Sequence, residues 1–194
     1  MLIFSKAKSK LEDSRTIFKK LQASKDIQTF RALFNSFLQS SRAITYALQK
    51  DGKHIPEFQQ WYKTKQTEMR NDDLLRFMHT ARKEDFHEGK HRLSFSMHLH
   101  YLDTSNVGPP PSPDARLGIS NEGVFWIMNK GTPREERIPI KDRGQATYFI
   151  SIENPPTSHL GQKLENNNPI EICKLTLAYF SNLIIEAEEM FSTR

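Results

Sequence analysis

Residues 71–92 read NDDLLRFMHTARKEDFHEGKHR, and the fold turns on how that stretch is read. Leu74, Leu75, Phe77, Met78 and Ala81 recur at helical spacing, which predicts an amphipathic helix that buries one face. Asn71 or Asp72 can cap it, a side-chain oxygen accepting from the first free backbone amides. The far end changes character. Arg82, Asp85, His87, Glu88 and His91 gather charged and proton-exchanging groups that hydrophobic burial does not call for. Two patterns overlap there: Arg82 and His87 form R-x4-H, while His87, Glu88 and His91 form H-E-x-x-H.

Working outward, residues 6–23 predict a polar, basic helix with Leu11, Ile17, Phe18 and Leu21 as its apolar positions. Asp26 is placed to cap a longer helix running to about Lys50. There Ile27, Phe30, Phe34, Phe37, Leu38, Ile44 and Leu48 recur at helical steps, interrupted by Arg42. Pro56 suits the first turn of a third helix carrying Phe58, Trp61 and Tyr62. Short links between such helices argue for an antiparallel bundle.

After Arg92 the period changes to two. HRLSFSMHLHYLD alternates Leu93, Phe95, Met97, Leu99 and Tyr101 against Ser94, Ser96, His98 and His100, a half-buried strand. NVGPPPSPD cannot join a sheet ladder, because its prolines lack the amide donor, and predicts an extended loop. RLGIS and GVFWIMN flank the turn Asn121-Glu122-Gly123, and ERIPIK and ATYFISI follow as further short antiparallel strands. A polar loop, NPPTSHLGQKLENNNP, leads to a last helix from Ile170 to about Phe191. The expected architecture is α+β in a single domain. Residues 6–91 form the bundle, 92–168 a β-meander insertion with loops, and 169–192 a helix returning to the bundle.

A chain of 194 residues with a net charge of +5 fits one domain and points toward an anionic partner. Cys173 is the single cysteine, which excludes an intramolecular disulfide and a cysteine-based zinc site. Within ICKLTLAYF it predicts a buried structural thiol. The apolar run at the start, Leu2 to Phe4, is too short for a signal-peptide core, and no segment approaches the roughly 18 apolar residues of a membrane span. A soluble, cytoplasmic protein with no membrane partner is expected.

R-x4-H at Arg82 and His87, taken with the helical phrases FRALFNSFLQSSRAITYALQ, FQQWYKTKQ and DDLLRFMHTAR, resembles the HEPN superfamily over roughly residues 25–92. The resemblance implies a compact helical homodimer. In many members it also implies a metal-independent endoribonuclease of the toxin or defence type, acting on RNA without a cofactor and opposed in some cases by a protein antitoxin or regulator. Arg82 and His87 are then the catalytic pair. An imidazole titrating near neutrality can exchange the 2′-hydroxyl or leaving-group proton, and a guanidinium can hold the phosphate. Asp85 and Glu88 would orient the pair, and Lys83, Lys90, His91 and Arg92 would hold nucleic acid. On one ideal helix Arg82 and His87 stand about 140° apart, so their convergence requires a distortion near Gly89 or a two-fold dimer axis.

Two alternatives stand beside this. A non-catalytic RNA- or protein-binding module is favoured by Lys83 beside the key arginine. A zinc hydrolase would use His87 and His91 as ligands and Glu88 as base, with His98, His100, Glu122 or His159 completing the set. Trp61 and Tyr62, with Lys63, Lys65 and Arg70 nearby, have the composition of a base-stacking strip, but their spacing reads first as core. Arg31 and Arg70 are expected at the surface, and His54 and His79 have no partner pattern.

Overall fold

A computed structural model describes residues 4–24, 26–102, 108–120, 123–140, 144–165 and 167–191. The chain is α+β, with five helices and several small antiparallel sheets. It divides into two compact units, Met1–Ser94 with Ser151–Arg194, and Phe95–Ile150.

The first unit is built from α1 (Ser5–Ala23), α2 (Ile27–Asp51), α3 (Pro56–Asn71), α4 (Asp73–Glu88) and α5 (Pro169–Phe191). The periodic apolar positions of α2 make its core: Phe34, Phe37, Leu38, Ile44 and Leu48 are all but completely buried against α1, α4 and α5. Each such side chain stabilises the fold by roughly 1.5–3 kcal/mol relative to exposure. The Asp26 carboxylate accepts from the Thr29 amide at 2.6 Å and so fixes where α2 begins. Pro56 occupies the first turn of α3. Phe58 on α3 is buried among the rings of Phe4, Trp61, Tyr62 and Phe191, with centroids 5.4–5.8 Å away. Gly52, in the turn after α2, lies directly beneath it; a Cβ there would stand 2.4 Å from the Phe58 ring. Trp61 donates its indole N–H to Glu186 on α5 at 2.9 Å, and Lys65 bridges Glu186 and Glu68. Trp61 and Tyr62 are thus committed to packing.

Of the two cap candidates for α4, Asp72 is the one used: its carboxylate accepts from the Leu75 amide at 2.9 Å. The same carboxylate accepts from the Leu160 amide at 2.7 Å and from His159 Nδ1 at 3.1 Å. These bonds hold a small hairpin, β6 (Ser158–His159) and β7 (Gln162–Lys163), against the start of α4. The expected polar loop therefore contains paired strands. Leu160 and Gly161 turn the chain with φ of 49° and 78°, the positive values that a two-residue hairpin turn demands. Asp73 adds a second tie, accepting from the Thr157 amide at 2.6 Å and its hydroxyl at 2.8 Å. The far end of α4 closes at Gly89, left-handed at φ 62°, as the Lys90 amide reaches back to the Glu84 carbonyl at 3.3 Å. Just before α5, Asn168 accepts from the Ile170 amide at 2.9 Å; within the helix Cys173 is buried, which pushes its thiol up and keeps it protonated.

In the second unit, β1 (Leu93–Leu102) pairs with β5 (Gly144–Ile152), while β2 (Arg116–Ser120), β3 (Gly123–Met128) and β4 (Glu136–Ile140) form an antiparallel meander. The register sets Leu117, Trp126 and Ile138 side by side. Gly118 leaves room for Phe125, whose ring a Cβ there would approach to 2.6 Å. This compact unit is shorter than the expected insertion of residues 92–168. The turn residues Asn121 and Glu122, and the start of the proline-rich loop at Asn106 and Val107, lie outside the described residues, as do the side chains of Met97, Leu99, His100 and Tyr101.

Replacing Asp72 by Ala removes a helix cap and leaves the buried His159 ring and the part-buried Leu160 amide without their acceptor. The expected loss is about 2–4 kcal/mol, read by urea denaturation. Asp73→Ala, at a more exposed site, should lose clearly less. Equal losses would deny Asp72 its double role.

Candidate anion-binding cleft

Helix α4 carries Arg76, His79 and Arg82 at intervals of three residues, so the three run along one side of it. Facing them, α2 contributes Arg42 and α3 contributes Arg70. Together these residues rim a cleft of about 390 Å³ whose floor includes Leu38, Tyr62, Leu75, Met78 and Phe180. Among the described residues, no Asp or Glu lines it. Four guanidinium groups around an apolar floor form a concentrated positive field beside a low-dielectric surface.

Neighbours hold the rim in place. Arg42 donates to the Thr45 hydroxyl at 2.7 Å, which in turn donates to the Arg42 carbonyl at 2.9 Å. Arg82 donates through Nε to Gln39 at 2.9 Å. Arg76 pairs with Asp73 at 2.6 Å and is the most neutralised of the set. In the floor, the Tyr62 hydroxyl receives a bond from Gln49 at 3.1 Å and donates to the Thr45 carbonyl at 3.3 Å. Burial raises the Tyr62 pKa, opposed by the Gln49 bond and the Arg42 charge, so the phenol stays a neutral donor. Although much of the His79 ring is open to solvent, its pKa is lowered, first by partial burial and then by Arg42, Arg82 and Lys83. An anion in the cleft would offset those charges.

Within one chain Arg82 and His87 do not share a cavity, as their separation on an ideal helix implies. Arg82 lines the cleft; His87, exposed on the last turn of α4, is not among the lining residues. Both meet Phe86 instead. The guanidinium lies over its ring at 5.5 Å, and the imidazole meets it edge-on at 5.0 Å. Asp85 accepts from Asn35 at 2.6 Å and pairs with His91 at 3.2 Å. Glu88 pairs with Lys90 at 2.7 Å, and Glu84 takes Arg92 in a two-pronged contact at 2.5 and 2.6 Å. Lys90, His91 and Arg92 therefore each face a carboxylate, whereas Lys83 adds to the positive field at His79.

His87 and His91, the ligands of the alternative metal site, lie on opposite sides of the helix end. H-E-x-x-H sets two ligands on one helical face, but α4 ends at Glu88 and Gly89 turns the chain before His91. Among the described residues, no group of three or more His, Cys, Asp or Glu is placed to hold a metal ion. The cleft itself uses Arg42, Arg70 and His79, to which the sequence assigned no shared role, and Arg76, which no motif marked. The usable signal was RFMHTAR, where the cationic positions recur every third residue.

The lowered pKa of His79 has a definite sign. The folded state favours the neutral ring, so its contribution to stability is present above the ordinary histidine pKa and is lost as pH falls from there toward the lowered value. Between pH values of about 7.5 and 5.5, the drop in thermal midpoint should be smaller for His79→Gln than for the wild type. Inorganic phosphate should shrink the wild-type drop if the cleft takes an anion.

No curated protein and no solved structure matches the chain. No helix among the described residues is long and apolar enough to cross a membrane. Residues 4–117 match the family described as bacteriophage lambda protein ea47, a match covering α1 to α4 and β1 and reaching the start of β2. That match replaces the HEPN assignment, which rested on a short motif and on helical phrases that many amphipathic helices share. With more than half of its length matched, the chain belongs to the bacteriophage lambda ea47 family.

Proposed function

We propose that this protein binds single-stranded nucleic acid, with RNA as the expected partner, through the cationic cleft of its helical unit. The observation that carries this reading is the cleft itself: four arginines at the rim, an apolar floor and no carboxylate in the described lining. Guanidinium groups match phosphate oxygens in geometry as well as charge, and the floor suits an unstacked base. A volume of about 390 Å³ accommodates one nucleotide rather than a duplex. The net charge of +5 adds long-range attraction for a polyanion. All of these groups belong to one chain.

Fluorescence anisotropy with a short labelled RNA tests this. Affinity should fall as salt rises, and Arg42→Gln or Arg82→Gln should each weaken binding about tenfold and lower the salt slope by about 0.7. Binding that ignores salt, or that survives loss of both arginines unchanged, would overturn the reading.

A second reading, metal-independent strand cleavage, is favoured by one observation: an imidazole held toward its neutral form among arginines. In this reading His79 accepts the 2′-hydroxyl proton as O2′ bonds to phosphorus. The P–O5′ bond breaks, the leaving oxygen takes a proton from water, and a 2′,3′-cyclic phosphate remains. In excess EDTA, wild type should then produce cyclic ends and His79→Gln should not. Loss in His87→Gln alone would move the proton transfer to the R-x4-H pair, and an inert wild type would leave binding only.

A further inference from the structure

Phe86 stands where the fold gives it nothing to bury. At 65% exposure it is the most exposed of the large apolar side chains among the described residues, and it lies off the buried stripe of Leu74, Leu75, Met78 and Ala81 on α4. Exposing a benzyl group forgoes roughly 1.5–3 kcal/mol of burial. Its described ring neighbours are the Arg82 guanidinium at 5.5 Å and the His87 imidazole at 5.0 Å. Arg82 also lines the cleft, so the ring continues directly from the cleft rim.

We propose that Phe86 is a stacking platform for a second base, which extends the cleft into a site for two adjacent nucleotides of a single strand. This rests on the nucleic-acid reading of the cleft. One base occupies the apolar floor, Arg82 holds the phosphate between the two nucleosides, and the next base lies on Phe86 with His87 at its edge. Every base has a π-face, so the platform reads strandedness and not sequence. In a duplex, bases are already stacked on one another and cannot lie on the ring. Arg82 and His87 then act as the two flanks of an aromatic shelf, which gives the R-x4-H spacing a use without bringing both groups to one phosphate. The guanidinium beside the ring, that of Arg82, favours a polyanion over an apolar protein surface.

Because Phe86 is exposed, its variants should fold with unchanged thermal midpoints, which is checked first. Phe86→Ala and Phe86→Leu should weaken binding of a short single-stranded RNA by about fivefold to a hundredfold. Phe86→Trp should restore it, and the salt slope should stay constant because no charge is lost. A nucleoside 5′-monophosphate, which reaches only the cleft, should bind all four proteins alike. If wild type binds RNA through Arg42 and Arg82 but Phe86→Ala binds equally well, the platform is wrong and the cleft reading stands. If wild type binds no RNA, both are overturned. If Phe86→Ala abolishes a concentration-dependent dimer while RNA binding persists, the ring belongs to a contact between copies and the platform is again wrong.

Discussion

The helical unit depends on the burial of Phe58. Its ring is fully buried and stacks nearly parallel to Tyr62 at an interplanar angle of 13°, while Phe4, Trp61 and Phe191 close around it. Aromatic pairs of this kind contribute about 0.5–1.5 kcal/mol each beyond the area they bury. They bring together the start of α1, the end of α5 and α3, with Gly52 making space from the end of α2. The consequence reaches the cleft. Tyr62, fixed by Phe58, is part of the floor; its hydroxyl bonds to the Thr45 carbonyl, and the Thr45 hydroxyl holds Arg42 at the rim. Core packing and rim charge are linked through one tyrosine.

Charge along α4 follows a division of labour. At its start, Asp72 and Asp73 are occupied as acceptors for backbone and hairpin groups. At its end, Glu84 and Glu88 each take a cation from the segment that follows, and Asp85 faces the His91 ring. Exposed pairs of this sort add only about 0–1 kcal/mol to stability. Their larger effect is on the potential: carboxylates neutralise both ends of the helix, and the uncompensated charge is left in the middle, over the cleft.

The helices were legible because their signals are local. Asp26, Pro56, Asp72 and Gly89 punctuate apolar runs of helical period, and each is used as its chemistry predicts. The β6–β7 hairpin was not, since two-residue strands carry no periodicity and only Leu160-Gly161 marked the turn. The cleft was illegible for a different reason. Its groups come from α2, α3 and α4, and nothing in the spacing between Arg42 and Arg76 announces that they share a rim. R-x4-H drew the eye because both members lie close in sequence. The helical rotation between them means that a common target needs a distortion or a second chain, and within one chain the structure sets them on either flank of Phe86.

The hydrogen bond from the Glu153 amide to the Arg92 carbonyl, 2.9 Å long, joins the two points at which the helical unit gives out and takes back the chain. To that unit, everything between is one closed loop. Closure entropy grows only logarithmically, at about 0.6 kcal/mol for each doubling of length. A lineage could enlarge, trim or exchange the intervening β-structure with little thermodynamic penalty to the helices. That makes this junction the place where recombination between related genes would be best tolerated, and where new specificities could be grafted onto an unaltered scaffold.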